Sequence, residues 1–117
     1  MNRSVSFEQA IQRIQRRRVR VEALDHALTE RARQLAREAH TDPQMVFHHA
    51  HNANVARNAG RPWREVNYDK VDQLLAVEQR IFRLWRRYDK WSSAFWHEAY
   101  HREFETPLPF SPTDTLG

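Results

Sequence analysis

The most constraining feature of this 117-residue chain is a run of apolar residues, from residue 74 onward, that recur in alternating steps of three and four. This spacing is that of a heptad seam, in which apolar side chains form one stripe along an α-helix. Asn67 is a good N-cap residue, so we expect the helix to begin at residue 68 and to end near residue 105, before Pro107. The seam residues are Leu74, Val77, Ile81, Leu84, Tyr88, Trp91 and Phe95.

A second stretch, residues 7–40, contains neither Gly nor Pro and also carries apolar residues at helical spacing. Ser6 and Gln9 stand three residues apart at its start, as in a capping box that satisfies the first amide groups of a helix. We therefore expect one helix over about residues 7–40, with Glu and Arg on its other face. Its apolar residues are Phe7, Ile11, Ile14, Val21, Leu24, Leu28, Leu35 and Ala39.

Between the two long helices the sequence predicts a shorter one. Asp42 is a good N-cap residue and Pro43 a good first helical residue, because its missing amide costs nothing there. Gly60 is a typical C-terminal stop, so the expected helix covers about residues 43–59. Its apolar face consists of small side chains: Val46, Ala50, Ala53 and Ala56.

These patterns predict an all-α fold, with two long helices packed as an antiparallel hairpin and the shorter middle helix bracing them. We expect a single helical domain over residues 1–105. Residues 106–117 contain three prolines and are expected to form an extended or disordered tail, or alternatively a docking peptide anchored by Leu108 and Phe110.

A second apolar flank widens the face of the third helix beside its seam. It consists of Leu75, Phe82, Trp85, Trp96, Tyr100 and Phe104.

Composition excludes several classes of protein. The chain has no Cys, so it has neither a disulfide framework nor a zinc site built on thiolates. No apolar run reaches the roughly 18–20 residues of a membrane span. The first residues lack the apolar stretch of a secretory signal peptide. We therefore expect a bacterial or viral protein located in the cytoplasm or in a virion.

The net charge of +4 is unevenly distributed along the chain. Residues 1–40 hold nine basic and five acidic side chains, whereas residues 41–117 hold ten of each. An Arg-rich stretch is typical of phosphate binding, because the guanidinium fork contacts two oxygens at once; a solvated helix face is the alternative. The candidate phosphate-binding residues of this stretch are Arg13, Arg16, Arg17 and Arg20.

Helical spacing separates these arginines into two groups. Arg13, Arg16 and Arg20 share a stripe turned away from the apolar face, so we expect them to be exposed and to have no packing role. Arg17 flanks the apolar face, where its aliphatic stem can pack. A second basic stripe is predicted on the outward face of the third helix. Its fixed cations, Arg83, Arg87 and Lys90, are also candidate nucleic-acid-binding residues, and His97 and His101 follow them on the same stripe.

His97, Glu98 and His101 match the H-E-x-x-H pattern of zinc metallopeptidases, in which two His bind the metal and the Glu activates its water. Glu105, one turn further on, is a candidate oxygen ligand. The sequence predicts no β-strand that could bind a substrate. Few residues follow the motif, although the third metal ligand of such peptidases usually comes from well beyond it. The two His also fall in line with the fixed cations of the second stripe, which disfavours a dication. We therefore expect neither a metal nor another cofactor, and no enzymatic activity.

The sequence supports three functions, in decreasing order. The first is a non-catalytic helical subunit of a nucleoprotein assembly that contacts nucleic-acid phosphates without reading sequence. The second is a protein–protein interaction or structural module, such as a phage virion component or an inhibitor of a nucleic-acid-binding complex. The third is the zinc hydrolase. The first two imply other protein subunits or nucleic acid as partners, membership of a homo- or hetero-oligomer, and no membrane.

Overall fold

The computed structural model describes residues 6–104, apart from the side chain of Glu103, and this part of the chain is all-α. Three helices follow one another: α1 (Phe7–Ala39), α2 (Ala50–Asn58) and α3 (Tyr68–Phe104). The two long helices pack against each other as an antiparallel hairpin, and α2 is the short middle helix. The predicted fold class is therefore confirmed. The predicted tail lies outside the described residues.

The chain divides into two compact units. In the described chain, unit 1 combines residues 6–21 with residues 86–104, and unit 2 consists of residues 22–85. In each unit the α1 segment runs antiparallel to the α3 segment. Across residues 6–104, none of the helices has an apolar stretch long enough to cross a bilayer.

The start of α1 is stabilised by the predicted capping box. The Gln9 amide donates to Ser6 Oγ at 3.1 Å, and the Ser6 amide donates to Gln9 Oε1 at 3.1 Å. Each side chain thus satisfies an amide that lies too close to the helix start to find a carbonyl partner within the helix. The prediction that the helix begins at residue 7 is confirmed.

Backbone hydrogen bonds join the end of α1 to the start of α3 within unit 2. His40 and Val66 form an isolated antiparallel bridge, and the Asn67 amide donates to the Ala39 carbonyl at 2.7 Å. The Asn67 side chain also accepts the amide of Asp69 at 3.1 Å, which confirms it as the N-cap residue of α3. The residues that follow α1 therefore pair with the residues that precede α3, so the first long helix ends beside the start of the last one.

The start of α2 was predicted wrongly. The helix begins at Ala50, seven residues after the predicted Pro43. Asp42 does cap a turn, since its carboxylate accepts the Gln44 amide at 3.0 Å and its carbonyl accepts the Met45 amide at 3.0 Å. This turn does not continue into a helix, because the residues after it extend towards the core.

Phe47 is the residue that this extension buries. Its ring is 5% exposed and lies edge-on to Trp63, with ring centroids 6.1 Å apart. Its amide donates to the Ala36 carbonyl of α1 at 3.0 Å. Val46, which was predicted to face the core, is instead exposed. Burial of a phenyl ring removes more apolar surface from water than burial of a Val side chain, and it overrides the local helix signals.

The end of α2 agrees with the prediction. Gly60 has a φ angle of +79°, in the left-handed region that favours glycine. Its amide donates to the Arg57 carbonyl at 3.0 Å, and the Arg61 amide donates to the Ala56 carbonyl at 2.8 Å. This pair of hydrogen bonds is the Schellman motif, which satisfies the last carbonyls of a helix.

The predicted apolar seam of α3 faces inward in both units. Leu74 and Val77 are buried in unit 2 and Tyr88 is buried in unit 1. Four residues of the predicted apolar faces of α1 and α3 are exposed instead: Leu24 (55%), Phe82 (64%), Trp96 (41%) and Phe104 (49%). The buried core of unit 2 consists of Leu35, Ala36, Ala39, Phe47, Ala50, Ala53, Val66, Val71, Leu74 and Val77.

A polar contact joins α2 to α3 at the edge of this core. The two terminal guanidinium nitrogens of Arg57 donate to the Asp72 carboxylate, Nη2 at 2.7 Å and Nη1 at 3.1 Å. The Arg57 guanidinium also lies 4.9 Å from the ring centroid of Tyr68. The hydrogen bond from Arg57 lowers the pKa of the Asp72 carboxyl below its usual value, and the same bond raises the pKa of Arg57. The pair is solvent-accessible, so we expect a modest contribution to stability.

The core assignment predicts opposite outcomes for two Leu→Ala changes on α1. Leu35 is fully buried, so Leu35→Ala removes packed methyl groups and leaves a cavity, and we expect it to lower the free energy of unfolding by about 2–5 kcal/mol. Leu24→Ala makes the same chemical change at an exposed position and should cost less than about 1 kcal/mol. Urea denaturation followed by circular dichroism measures the free energy of unfolding of both variants. Equal losses in the two variants would contradict the assignment of Leu35 to the core and Leu24 to the surface.

The ion pair of Asp72 predicts a pH-dependent stability. A carboxyl whose pKa is lowered by folding stabilises the fold above its unfolded pKa of about 3.9, and this contribution disappears as the pH falls through the folded value. Asp72→Asn should therefore lower the urea midpoint between pH 5 and 7, with a difference from the parent that shrinks below about pH 4. Asp89→Asn, at an exposed residue without an ion pair among residues 6–104, is the control and should show no such pattern.

Candidate nucleic-acid interface

Folding assigns the excess of positive charge to one of the two units. Unit 2, residues 22–85, has nine basic and nine acidic side chains and is neutral overall. The described part of unit 1 has nine basic and four acidic side chains, a net charge of +5. The excess is therefore not a property of the first third of the chain alone, because the antiparallel pairing adds basic residues of α3 to those of α1.

Three of the nine basic side chains of unit 2 lie in ion pairs with acidic residues. In unit 1 Arg102 is paired with Glu98, and Arg18 also has an interaction partner. The pairs of unit 2 are Arg33 with Glu30 at 2.6 Å, Arg57 with Asp72 at 2.7 Å, and Lys70 with Glu38 at 3.5 Å.

Arg13, Arg16 and Arg20 line one open surface depression of about 410 Å³ on unit 1. The three residues lie on successive turns, with rises of about 4.5 and 6 Å between them along the helix axis. Among residues 6–104, the side chains of Arg16 and Arg20 have neither an ion-pair nor a hydrogen-bond partner. Their guanidinium groups can therefore bind an external anion without breaking a contact within the described chain.

Arg13 and Arg17 differ from these two because each lies over an aromatic ring of α3. The Arg17 guanidinium is 4.2 Å from the ring centroid of Trp91, and that of Arg13 is 5.5 Å from the ring centroid of Phe95. Both are within the range of cation–π attraction. The prediction for Arg17 agrees with this packing role, whereas the expectation that Arg13 has no packing role is wrong.

The two rings beneath these arginines are themselves stacked. Trp91 and Phe95 lie one turn apart on α3, with ring centroids 5.2 Å apart and planes inclined by 15°. Arg13 and Arg17 also lie one turn apart, on α1, so two cations cover two stacked rings. A guanidinium that stacks on a ring keeps its N–H groups at the edge of its plane, where they remain available to a phosphate.

In the predicted basic stripe of α3, Arg83, Arg87 and Lys90 are exposed whereas His97 and His101 are half-buried, and the stripe divides between the two units. Arg87 and Lys90 belong to unit 1, and within residues 6–104 neither has an ion-pair partner. Arg83 belongs to unit 2. Arg86 is exposed in unit 1 as well and was not predicted as a site residue, although its place beside Arg87 in the sequence was a sufficient signal.

The name basic surface denotes seven exposed cations that α1 and α3 contribute to unit 1, of which Arg13, Arg16 and Arg20 line one depression. Two of its arginines lie over the rings of Trp91 and Phe95. The stacking could not be predicted from either helix alone, because it depends on the register in which α1 meets α3. The basic surface consists of Arg13, Arg16, Arg17, Arg20, Arg86, Arg87 and Lys90.

The H-E-x-x-H residues lie near the end of α3, and their geometry is only partly that of a zinc peptidase. His97 Nε2 and His101 Nε2 are 3.1 Å apart, as the spacing predicts. Glu98 is bound by the Arg102 guanidinium and is therefore not free to activate a water. No cluster of three or more potential metal ligands occurs within residues 6–104, and Glu105 lies outside them.

Comparisons with protein-family models, with curated proteins and with solved structures found no match to this chain.

Proposed function

We propose that the chain is a non-catalytic helical subunit of a nucleoprotein assembly, located in the cytoplasm or in a virion, and that the basic surface of unit 1 binds nucleic-acid phosphates without reading sequence. The observation that carries this proposal is the separation of charge between the two units, +5 over the described part of unit 1 and zero in unit 2. Solubility alone would be served equally well by charges spread over both units.

The residue type of the basic surface favours phosphate as its ligand. Six of its seven members are Arg, whose planar fork donates two hydrogen bonds to one phosphate. Three of them, Arg13, Arg16 and Arg20, lie on successive turns of α1 and line one depression, a geometry that suits contacts with neighbouring phosphates. Arg16 and Arg20, which have no ion-pair or hydrogen-bond partner among residues 6–104, are ready to replace condensed counterions, whose release drives salt-dependent binding.

The second candidate function is a protein–protein interaction or structural module, and exposed apolar side chains favour it. Val19 and Phe82 are each 64% exposed, which places two large apolar side chains in water on different units. Such residues are typical of contact sites for other subunits, although single exposed apolar residues are also common on monomers. A zinc hydrolase is the least favoured candidate, because Arg102 engages the carboxylate of Glu98.

The proposal predicts a specific loss on removal of two charges. Arg16→Ala combined with Arg20→Ala should leave the circular dichroism spectrum unchanged, because both residues are exposed and neither side chain has a hydrogen-bond, ion-pair or ring partner among residues 6–104. It should weaken binding to fluorescent oligonucleotides about equally for every sequence. The slope of log affinity against log salt should fall by about 1.8 for a duplex and about 1.4 for a single strand, or less if only one of the two residues contacts a phosphate.

Arg61→Ala combined with Arg64→Ala is the matched control, since it removes the same charge from two exposed residues of unit 2. We expect this variant to keep the salt slope of the parent. Fluorescence anisotropy over a salt series measures the oligonucleotide affinity of the parent, of the Arg16/Arg20 variant and of this control. A parent that stays unbound at low salt, or a control that loses as much affinity as the unit 1 variant, would contradict phosphate binding by the basic surface and favour the interaction module.

A further inference from the structure

We propose that His97 and His101 form a two-residue clamp for a divalent late transition metal, such as Zn²⁺ or Cu²⁺, which is separate from any phosphate binding by the chain. The two imidazoles lie one turn apart near the end of α3, in unit 1. Their ring centroids are 4.4 Å apart and the ring planes are inclined by 80°. Imidazole nitrogen is a preferred ligand for these metals.

The separation of the two nitrogen atoms fits a shared metal ion. His97 Nε2 and His101 Nε2 are 3.1 Å apart. Two nitrogen ligands at a metal–nitrogen distance of 2.0–2.1 Å are about 2.9 Å apart for a 90° angle at the metal and about 3.3 Å apart for a tetrahedral angle. The observed distance lies between these values, so both rings can bind one metal with small adjustments.

Both rings are half-buried, which favours a clamp over two independent surface histidines. Packing limits the rotamers that each ring can adopt, so less side-chain entropy is lost when the metal binds. Within residues 6–104 no third ligand completes the site, and we infer that water fills the remaining positions. The clamp is therefore an exchangeable site rather than a closed structural zinc site.

The positive charge of unit 1 does not prevent this binding. Lys90 is seven residues from His97, about 10 Å along the helix axis, which exceeds the Debye length of about 8 Å at physiological ionic strength. The cation closest in sequence to His101 is Arg102, and Glu98 neutralises it in an ion pair. In the sequence, the two His are aligned with fixed cations, and this argued against a metal. The repulsion between these cations and a bound metal is therefore weaker than the sequence suggests.

The hydrogen bond between the two rings is exchanged for the metal. His97 Nε2 and His101 Nε2 share one proton across 3.1 Å, so one ring donates and the other accepts. Metal binding requires both Nε2 lone pairs, so the donating ring must carry its proton on Nδ1 instead.

Zinc titration of the full chain at pH 7.5, in competition with a chromophoric chelator, tests the proposal. The parent should bind one Zn²⁺ per chain, bind Cu²⁺ more tightly, and show no comparable binding of Mg²⁺. His97→Ala and His101→Ala should each weaken the zinc affinity by about tenfold or more, because a single imidazole has no second ligand held beside it. Glu98→Gln should weaken the zinc affinity much less than either histidine change, since that carboxylate is not a ligand and only the neutralisation of Arg102 is lost.

His48→Ala combined with His51→Ala is the matched control, because it removes two exposed histidines of unit 2 and leaves the clamp intact. This variant should bind zinc like the parent. In the parent itself, substoichiometric Cu²⁺ should broaden the imidazole NMR signals of His97 and His101 before those of the other five histidines. This measurement needs no variant and remains decisive if an alanine change disturbs the fold.

Three results would overturn the proposal: no zinc or copper binding by the parent at millimolar metal, loss of binding in the His48/His51 control, or earliest broadening of other histidines. In each case the contact between His97 and His101 is only a hydrogen bond between two rings. None of these outcomes depends on oligonucleotide binding, so the clamp and the phosphate-binding function succeed or fail separately.

Discussion

The packing of the α3 seam against α1 is the interaction on which the other features of this protein depend. A seam with spacing of three and four forms one stripe on a helix, and that stripe can be removed from water only by another long apolar face. Residues 7–39 provide such a face, and the antiparallel direction follows from the connection through α2. In unit 2 the bridge between His40 and Val66 joins the two helix ends, so packing and backbone hydrogen bonds favour one register.

The boundaries that the sequence predicts well are those determined by chemistry within a few residues. Ser6 with Gln9 caps α1, Asn67 caps α3, and Gly60 ends α2, and each of these signals lies beside the boundary that it sets. The start of α2 is different, because the burial of Phe47 against α1 decides it. Local signals at Asp42 promote a turn there, but no local pattern shows that a ring five residues later fills a space on another helix.

The same distinction between local and tertiary determinants applies to the candidate interface. Exposure of the predicted arginines follows from helical periodicity, and all of them are exposed. Their grouping does not follow from it, because the linear charge count ends the basic region near residue 40, whereas folding places residues 86–90 in the same unit as residues 13–20. The contacts of Arg13 with Phe95 and of Arg17 with Trp91 also arise only when two helices meet.

The stacked and the unpartnered arginines suit different parts of anion binding. A guanidinium held over a ring has already lost much of its side-chain freedom, so a contact with phosphate costs it less entropy, as for Arg17 over Trp91. Arg16 and Arg20 keep their rotamers and can adapt to the spacing of the phosphates they meet. The proposed binding of nucleic acid without sequence readout requires both properties, because a backbone has to be held in place while different sequences and conformations are tolerated.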